Sequence, residues 1–259
     1  MLKVRVIPTL LWKTVGLVKG TKFDSWRRVG PVMPAIKVYN ARDVDELVLL
    51  DIVANQSGTD PDYDAVADFA DECFVPFTVG GGIRAITQIQ RLLRIGADKV
   101  TINTQAYINP EIVTEAAVRF GTQCIVASID VRLVDGEGYR CFSHSGTVAT
   151  KRRPEEWARE LADRGAGEIL LTSIDKDGTM AGYDLRLIEK VVNAVDVAVI
   201  ASGGAGNYEH MRLAIQEAGA SAVAAASIFH FTEQTPEEAK KYLAASGIPV
   251  RKNYKYAEA

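Results

Sequence analysis

Cysteine is scarce in this chain, and its spacing pairs it with nothing. Cys73, Cys124 and Cys141 make an odd count with no CxxC pair, which argues against a disulfide framework and against a zinc site. Free, buried thiols in a reducing cytoplasm are the expectation. Histidine is no better placed: His144, His210 and His230 each lack a metal-spaced partner, so neither a metal nor a cofactor is expected. His144 falls in a polar, glycine-bearing loop at 136–146 and reads as solvent-facing. Long apolar runs are missing too. The stretch from Leu2 to Leu11 is interrupted by Lys3 and Arg5, too short for a membrane span or a secretion signal, and reads as a strand. No basic stripe or aromatic platform suggests nucleic acid: 30 Lys and Arg are interspersed with 33 Asp and Glu, for a net charge of −3. Linkers and low-complexity tracts are also absent, so 1–259 reads as a single domain.

What the chain does have is alternation. Short aliphatic runs near 4–11, 46–52, 75–79, 98–103, 123–130, 167–174, 197–202 and 221–226 are continuous rather than alternating, as suits strands buried on both faces of a parallel sheet. Helical patterns lie between them. Asp60-Pro61 offers an N-cap before Val66, Phe69, Ala70 and Cys73; Ile86, Ile89 and Leu93 form one stripe, and Leu185, Ile188 and Val192 another. Thr235-Pro236-Glu237-Glu238 is a capping-box start to the last helix. Strict strand–helix alternation through eight units predicts an α/β fold, a (βα)8 TIM barrel.

The chain is also built twice. Asp45–Leu50, Val79–Gly82 and Lys99–Thr104 recur in order and spacing as Gly167–Thr172, Ala201–Gly204 and Ala222–Ser227. Two half-barrels can close a ring and carry paired sites. The copies disagree at one place. The strand opening the second half ends Ala127-Ser128-Ile129-Asp130; its counterpart ends Thr9-Leu10-Leu11. A carboxylate in one copy faces an apolar side chain in the other.

In a (βα)8 barrel, chemistry sits at the C-terminal strand ends. Gly80-Gly81-Gly82 and Gly203-Gly204 with Gly206 follow the third and seventh strands and precede helices, where backbone N–H groups can approach a phosphate. Asn103-Thr104 and Ala226-Ser227 add polar neighbours after the fourth and eighth strands. Glycines here can serve tight turns alone, but two clusters at repeat-equivalent positions favour two phosphate sites across one mouth, and so a small molecule phosphorylated at both ends. At the opposite face, Arg5, Glu46, Lys99 and Glu168 fall at strand starts and can close a ring. From charge alone that ring reads as a stabilising plug, since buried charge must be paired.

These residues resemble one family. Val18-Lys19-Gly20, Asp45–Val48, Phe77–Ile83, Gly96–Val100, Arg164–Thr179 and Ile200–Gly206 are similar to the cyclase subunit of imidazole glycerol phosphate synthase, and the likeness runs from about residue 3 to about 251. The resemblance implies a separate glutaminase subunit on the barrel bottom, with ammonia passing through the barrel to a bis-phosphorylated ribulosyl substrate. It implies an ammonia gate of Arg5, Glu46, Lys99 and Glu168, an interface at Asp98, a loop lysine at Lys19, and Asp177 and Gly178 beside the phosphate cradles. It also implies two catalytic aspartates. One is Asp130; the other position holds Leu11, and the acidic position in the following loop is Thr14. General acid–base catalysis is worth roughly a hundred- to ten-thousandfold, and leucine moves no proton. The pattern resembles barrel paralogues of surface-polysaccharide pathways, in which a third protein amidates a nucleotide-linked sugar. The other expectation is a true cyclase of histidine biosynthesis.

Overall fold

The computed structural model describes residues 3–14, 16–42 and 44–251. In chain order its strands are β1 (Arg5–Lys13), β2 (Gly16–Thr21), β3 (Asp24–Gly30), β4 (Leu47–Asp51), β5 (Phe77–Gly80), β6 (Lys99–Ile102), β7 (Ile125–Val134), β8 (Gly138–Ser143), β9 (Val148–Ala149), β10 (Glu168–Ser173), β11 (Ala198–Ser202) and β12 (Ala222–Ala225). The helices are α1 (Val32–Ala41), α2 (Ala54–Ser57), α3 (Tyr63–Asp71), α4 (Ile86–Arg94), α5 (Thr104–Ile108), α6 (Glu111–Phe120), α7 (Pro154–Asp163), α8 (Leu185–Val192), α9 (Tyr208–Gln216), α10 (Ser227–Phe231) and α11 (Pro236–Ala245).

Eight strands pair in the order β10-β11-β12-β1-β4-β5-β6-β7, and a parallel β7–β10 pairing closes the ring. The fold is thus a (βα)8 barrel, as the alternation predicts. Parallel closure buries both strand faces, which is why the strands read as unbroken aliphatic runs. Inside, Ile7, Val48, Val126, Leu170, Ile200, Ala222 and Ala224 form one small apolar cluster. Outside, the larger core packs the strands against the helical shell, with Trp157, Phe77 and Leu47 fully buried.

Two elements depart from simple alternation. β1 and β7 run past the barrel rim, and each turns back into an antiparallel hairpin: β1 with β2 and β3, β7 with β8 and β9. The loop expected at 136–146 is therefore largely strand. Its His144 is half-buried rather than solvent-facing, because its N–H donates to Thr104 Oγ1 at 3.0 Å. The third helix starts later than Asp60-Pro61 suggests. Asp62 is the cap, accepting from the Ala65 N–H at 3.1 Å, while Asp60 instead receives Arg84 and Gln88. The last helix has the predicted capping box, Thr235 with Glu238. Cys73, Cys124 and Cys141 are free thiols.

Candidate functional site

Register fixes how the two halves correspond. Leu11 lies beside Leu50 of β4, and Asp130 beside Thr172 of β10. Glu46 and Glu168 stand four residues before those two neighbours, so Leu11 and Asp130 occupy the same place in each half. Both are buried, and both line one cavity of about 150 Å³ at the C-terminal strand ends.

That cavity brings together most of the residues singled out from the sequence. Gly81, Gly82, Asn103 and Thr104 line it from the first half; Asp177, Gly178, Gly203, Gly204, Ala226 and Ser227 line it from the second. The cradle glycines are demanded by the fold itself. Gly81 has φ +108°, and a Cβ there would collide with the Asp51 carbonyl oxygen; Gly204 has φ +113°, and a Cβ would collide with the Gly182 carbonyl oxygen. Close approach of the neighbouring loops requires glycine with or without a ligand. Thr104 Oγ1 is engaged as well, accepting from the His144 N–H at 3.0 Å and Asn55 Nδ2 at 3.1 Å.

Asp130 is one of three aspartates that line the cavity, with Asp51 and Asp177. Asn103 Nδ2 donates to its Oδ2 at 2.9 Å. Burial pushes the Asp130 carboxyl up to about 7, and the nearby Asp177 charge adds to the rise. Lys19, reaching in from β2, donates to both Asp177 oxygens at 2.7 Å, and the Lys22 N–H donates to the Asp177 carbonyl at 2.8 Å. The first hairpin thus folds over the mouth, and Phe23 at its tip joins the lining. Opposite, Leu11 puts an apolar side chain in the place matching Asp130; Asp51 at the end of neighbouring β4 also lines the cavity, its Oδ1 accepting the Val53 and Ala54 N–H groups at 2.9 Å.

Alternate-residue geometry adds lining side chains one step below the strand ends, which the motifs at the strand ends do not reveal. Thr101 and Ser128 lie two residues before Asn103 and Asp130 and point the same way. With Thr9, Thr172 and Ser202 they give the upper barrel a hydroxyl-lined wall. A period-two count from Asn103 and Asp130 finds them. Ser145 and Asn55 carry no such signal; they arrive on connecting segments, Ser145 Oγ donating to the Ile52 carbonyl at 3.1 Å.

The opposite face holds the ring. Arg5 meets Glu46 at 2.7 Å and Glu168 at 2.8 Å; Lys99 meets each of the same carboxylates at 3.0 Å. Charges alternate around a closed circuit, and Thr78 Oγ1 donates to the remaining Glu46 oxygen at 2.7 Å. Burial alone would lower the Arg5 pKa, but Glu168 and Glu46 outweigh it and hold it raised. Asp98 is exposed on the same face, and its Oδ2 accepts the Phe77 N–H at 2.8 Å. Between ring and cavity lies the apolar cluster around Ile7 and Leu170.

His230 is half-buried, and desolvation lowers its pKa to about 4; it packs edge-on against Tyr39 and Phe231. Among the described residues, no cluster of His, Cys, Asp or Glu is placed to hold a metal ion, and no helix is long and apolar enough to cross a membrane. A family model described as "Histidine biosynthesis protein" matches residues 5–235, and the chain belongs to that family.

Proposed function

We propose that this member of the histidine biosynthesis protein family is the ammonia-conducting barrel subunit of a glutamine amidotransferase, and that its acceptor is not the ring-closure substrate. A glutaminase partner seats on the N-terminal face, and a third enzyme, which amidates a sugar for surface polysaccharide, draws ammonia from the mouth. The observation that carries this reading is the pairing of an intact charged ring below with Leu11 in the place of Asp130's counterpart above.

The route follows from the layers. Ammonia released at the bottom meets the ring of Arg5, Glu46, Lys99 and Glu168. Lys99, a single ammonium held by two 3.0 Å contacts, is the member that swings to open it. Above it, the layer of Ile7, Val48, Val126, Leu170, Ile200 and Ala222 favours neutral ammonia over ammonium, because an ion there would be desolvated without a partner. The hydroxyls of Thr9, Thr101, Ser128 and Thr172 then receive it as hydrogen-bonding partners at the upper end.

Ring closure in the cyclase employs an acid from each half. Asp130, near neutrality by virtue of its burial, can exchange a proton at physiological pH. Leu11 leaves the second proton-transfer role unfilled. The alternative, a working histidine-pathway cyclase, is favoured by the Lys19–Asp177 pair and by both glycine cradles opening on the same cavity. A turnover assay with ammonium and the bis-phosphorylated ribulosyl substrate separates them. The unmodified chain is expected to close the ring at least about a hundredfold more slowly than the Leu11→Asp variant. Efficient closure by the unmodified chain would overturn the proposal.

A further inference from the structure

Phe74 is 79% exposed, on the same face as the charged ring. It lies in the loop between α3 and β5, and that loop is held firmly. The Phe74 N–H donates to Asn40 Oδ1 at 3.1 Å, Asn40 Nδ2 donates to the Glu72 carbonyl, and the Glu72 carboxylate pairs with Lys37 at 3.1 Å. A bare aromatic ring on a pinned backbone has already lost the backbone freedom that binding would otherwise remove.

Its placement is specific. β5 lies between β4 and β6, so the loop opens between the strand starts that carry Glu46 and Lys99. The Pro76 carbonyl accepts the Leu47 N–H at 2.9 Å, and the Phe77 N–H donates to Asp98 at 2.8 Å. Asn40 bonds the Phe74 backbone, the Lys37–Glu72 pair precedes it and Asp98 bonds the Phe77 backbone, so the exposed aromatic stands on a loop held by polar groups, as suits an aromatic anchor with a polar rim. Among the described residues, the matching loop of the second half has no such feature. Leu47 pairs with Phe77 as Ile169 pairs with Val199, so the position matching Phe74 is Asp196, which is exposed and charged.

We propose that Phe74 is the aromatic anchor by which the glutaminase subunit seats on this barrel, inserted into an apolar pocket of that partner, so that docking is weighted toward the first half. This rests on the amidotransferase reading above. The occupant follows from that reading: whatever covers Phe74 also covers the edge of the ring between Glu46 and Lys99, and ammonia must be delivered there without loss to water. A second copy of the chain on this surface would instead close the conduit.

The test is a binding titration of the full chain against the purified glutaminase subunit of the same organism. Phe74→Ala is expected to weaken binding at least tenfold and Phe74→Asp more, while Phe74→Tyr stays within about threefold and Asp196→Ala within about twofold. Because Phe74 is exposed, all variants are expected to melt with the parent, which separates lost contact from lost fold. Unmodified chain that binds while Phe74→Ala binds equally well would overturn the anchor and leave the amidotransferase reading standing. Unmodified chain that does not bind the glutaminase at all would overturn both. Self-association in sedimentation that disappears with Phe74→Ala would replace the glutaminase by a second copy and overturn the proposed occupant.

Discussion

The first and second halves of the barrel hold the same register, and they part company at the two ends of the strands. At the C-terminal ends the first half presents Leu11 where the second presents Asp130; at the N-terminal ends it presents Phe74 where the second presents Asp196. In both places the first half is apolar and the second acidic. In the middle of the barrel the matching pairs Ile7 and Val126, and Val48 and Leu170, all belong to the inner apolar cluster, although Thr78, matching Ile200, is polar and bonds Glu46. Packing constrains the middle, since an interior side chain must fit its layer in either half. The ends touch solvent, ligand or partner, and there the halves are free to specialise.

The ring lets this comparison be broken deliberately, because Glu46 and Glu168 are repeat-equivalent but unequally buried, at 1% and 16% side-chain exposure. Removing either leaves Arg5 and Lys99 sharing one carboxylate. Glu46→Ala also strands the Thr78 hydroxyl, and it is expected to cost about 2–3 kcal/mol by denaturant titration, discounted from the fully buried case because Arg5 and Lys99 retain some water. Glu168→Ala is expected to cost about 1 kcal/mol. Equal losses would mean that the two halves of the ring are interchangeable.

A smaller effect sharpens the contrast at the top. The Asp130 pKa is raised in the folded chain from 3.8 to about 7, so the folded state holds this proton more tightly than the unfolded one. Its contribution to stability is fully present below about pH 4 and is lost as pH climbs through 7. Asp130→Asn is expected to remove that decline and to gain on the order of 2 kcal/mol over the parent above neutrality. Leu11→Asn, in the other half, introduces no titrating group and should run parallel to the parent. Parallel stability–pH curves for Asp130→Asn and the parent would refute the burial-driven shift.

Much of this was legible in the residues. The eight barrel strands show as aliphatic runs because both of their faces are buried, and the Leu11–Asp130 mismatch shows because the repeat supplies its own alignment. The rim hairpins do not show. Their turns place Lys22, Phe23, Ser25, His144 and Ser145 at positive φ, where a sequence reading looks for glycine or asparagine. Tertiary contacts hold those residues there: the Lys22 N–H on Asp177, the His144 N–H on Thr104. The start of α3 does not show either, because Asp60 and Asp62 are both plausible caps, and only Arg84 and Gln88, far along the chain, claim the first. Phe74 was invisible for a similar reason. Whether an aromatic in a short loop packs or projects depends here on Asn40, 34 residues earlier.

On the proposed function, a barrel that keeps Asp130 but has Leu11 in the matching place conducts ammonia and does not close the imidazole ring. The most direct measurement is growth without histidine of a strain lacking its cyclase subunit, supplied with this chain and its glutaminase partner. No growth is expected from the unmodified chain, at expression levels where a cyclase with both aspartates rescues fully. Full rescue by the unmodified chain, with Leu11 in place, would contradict it and assign the barrel to ring closure.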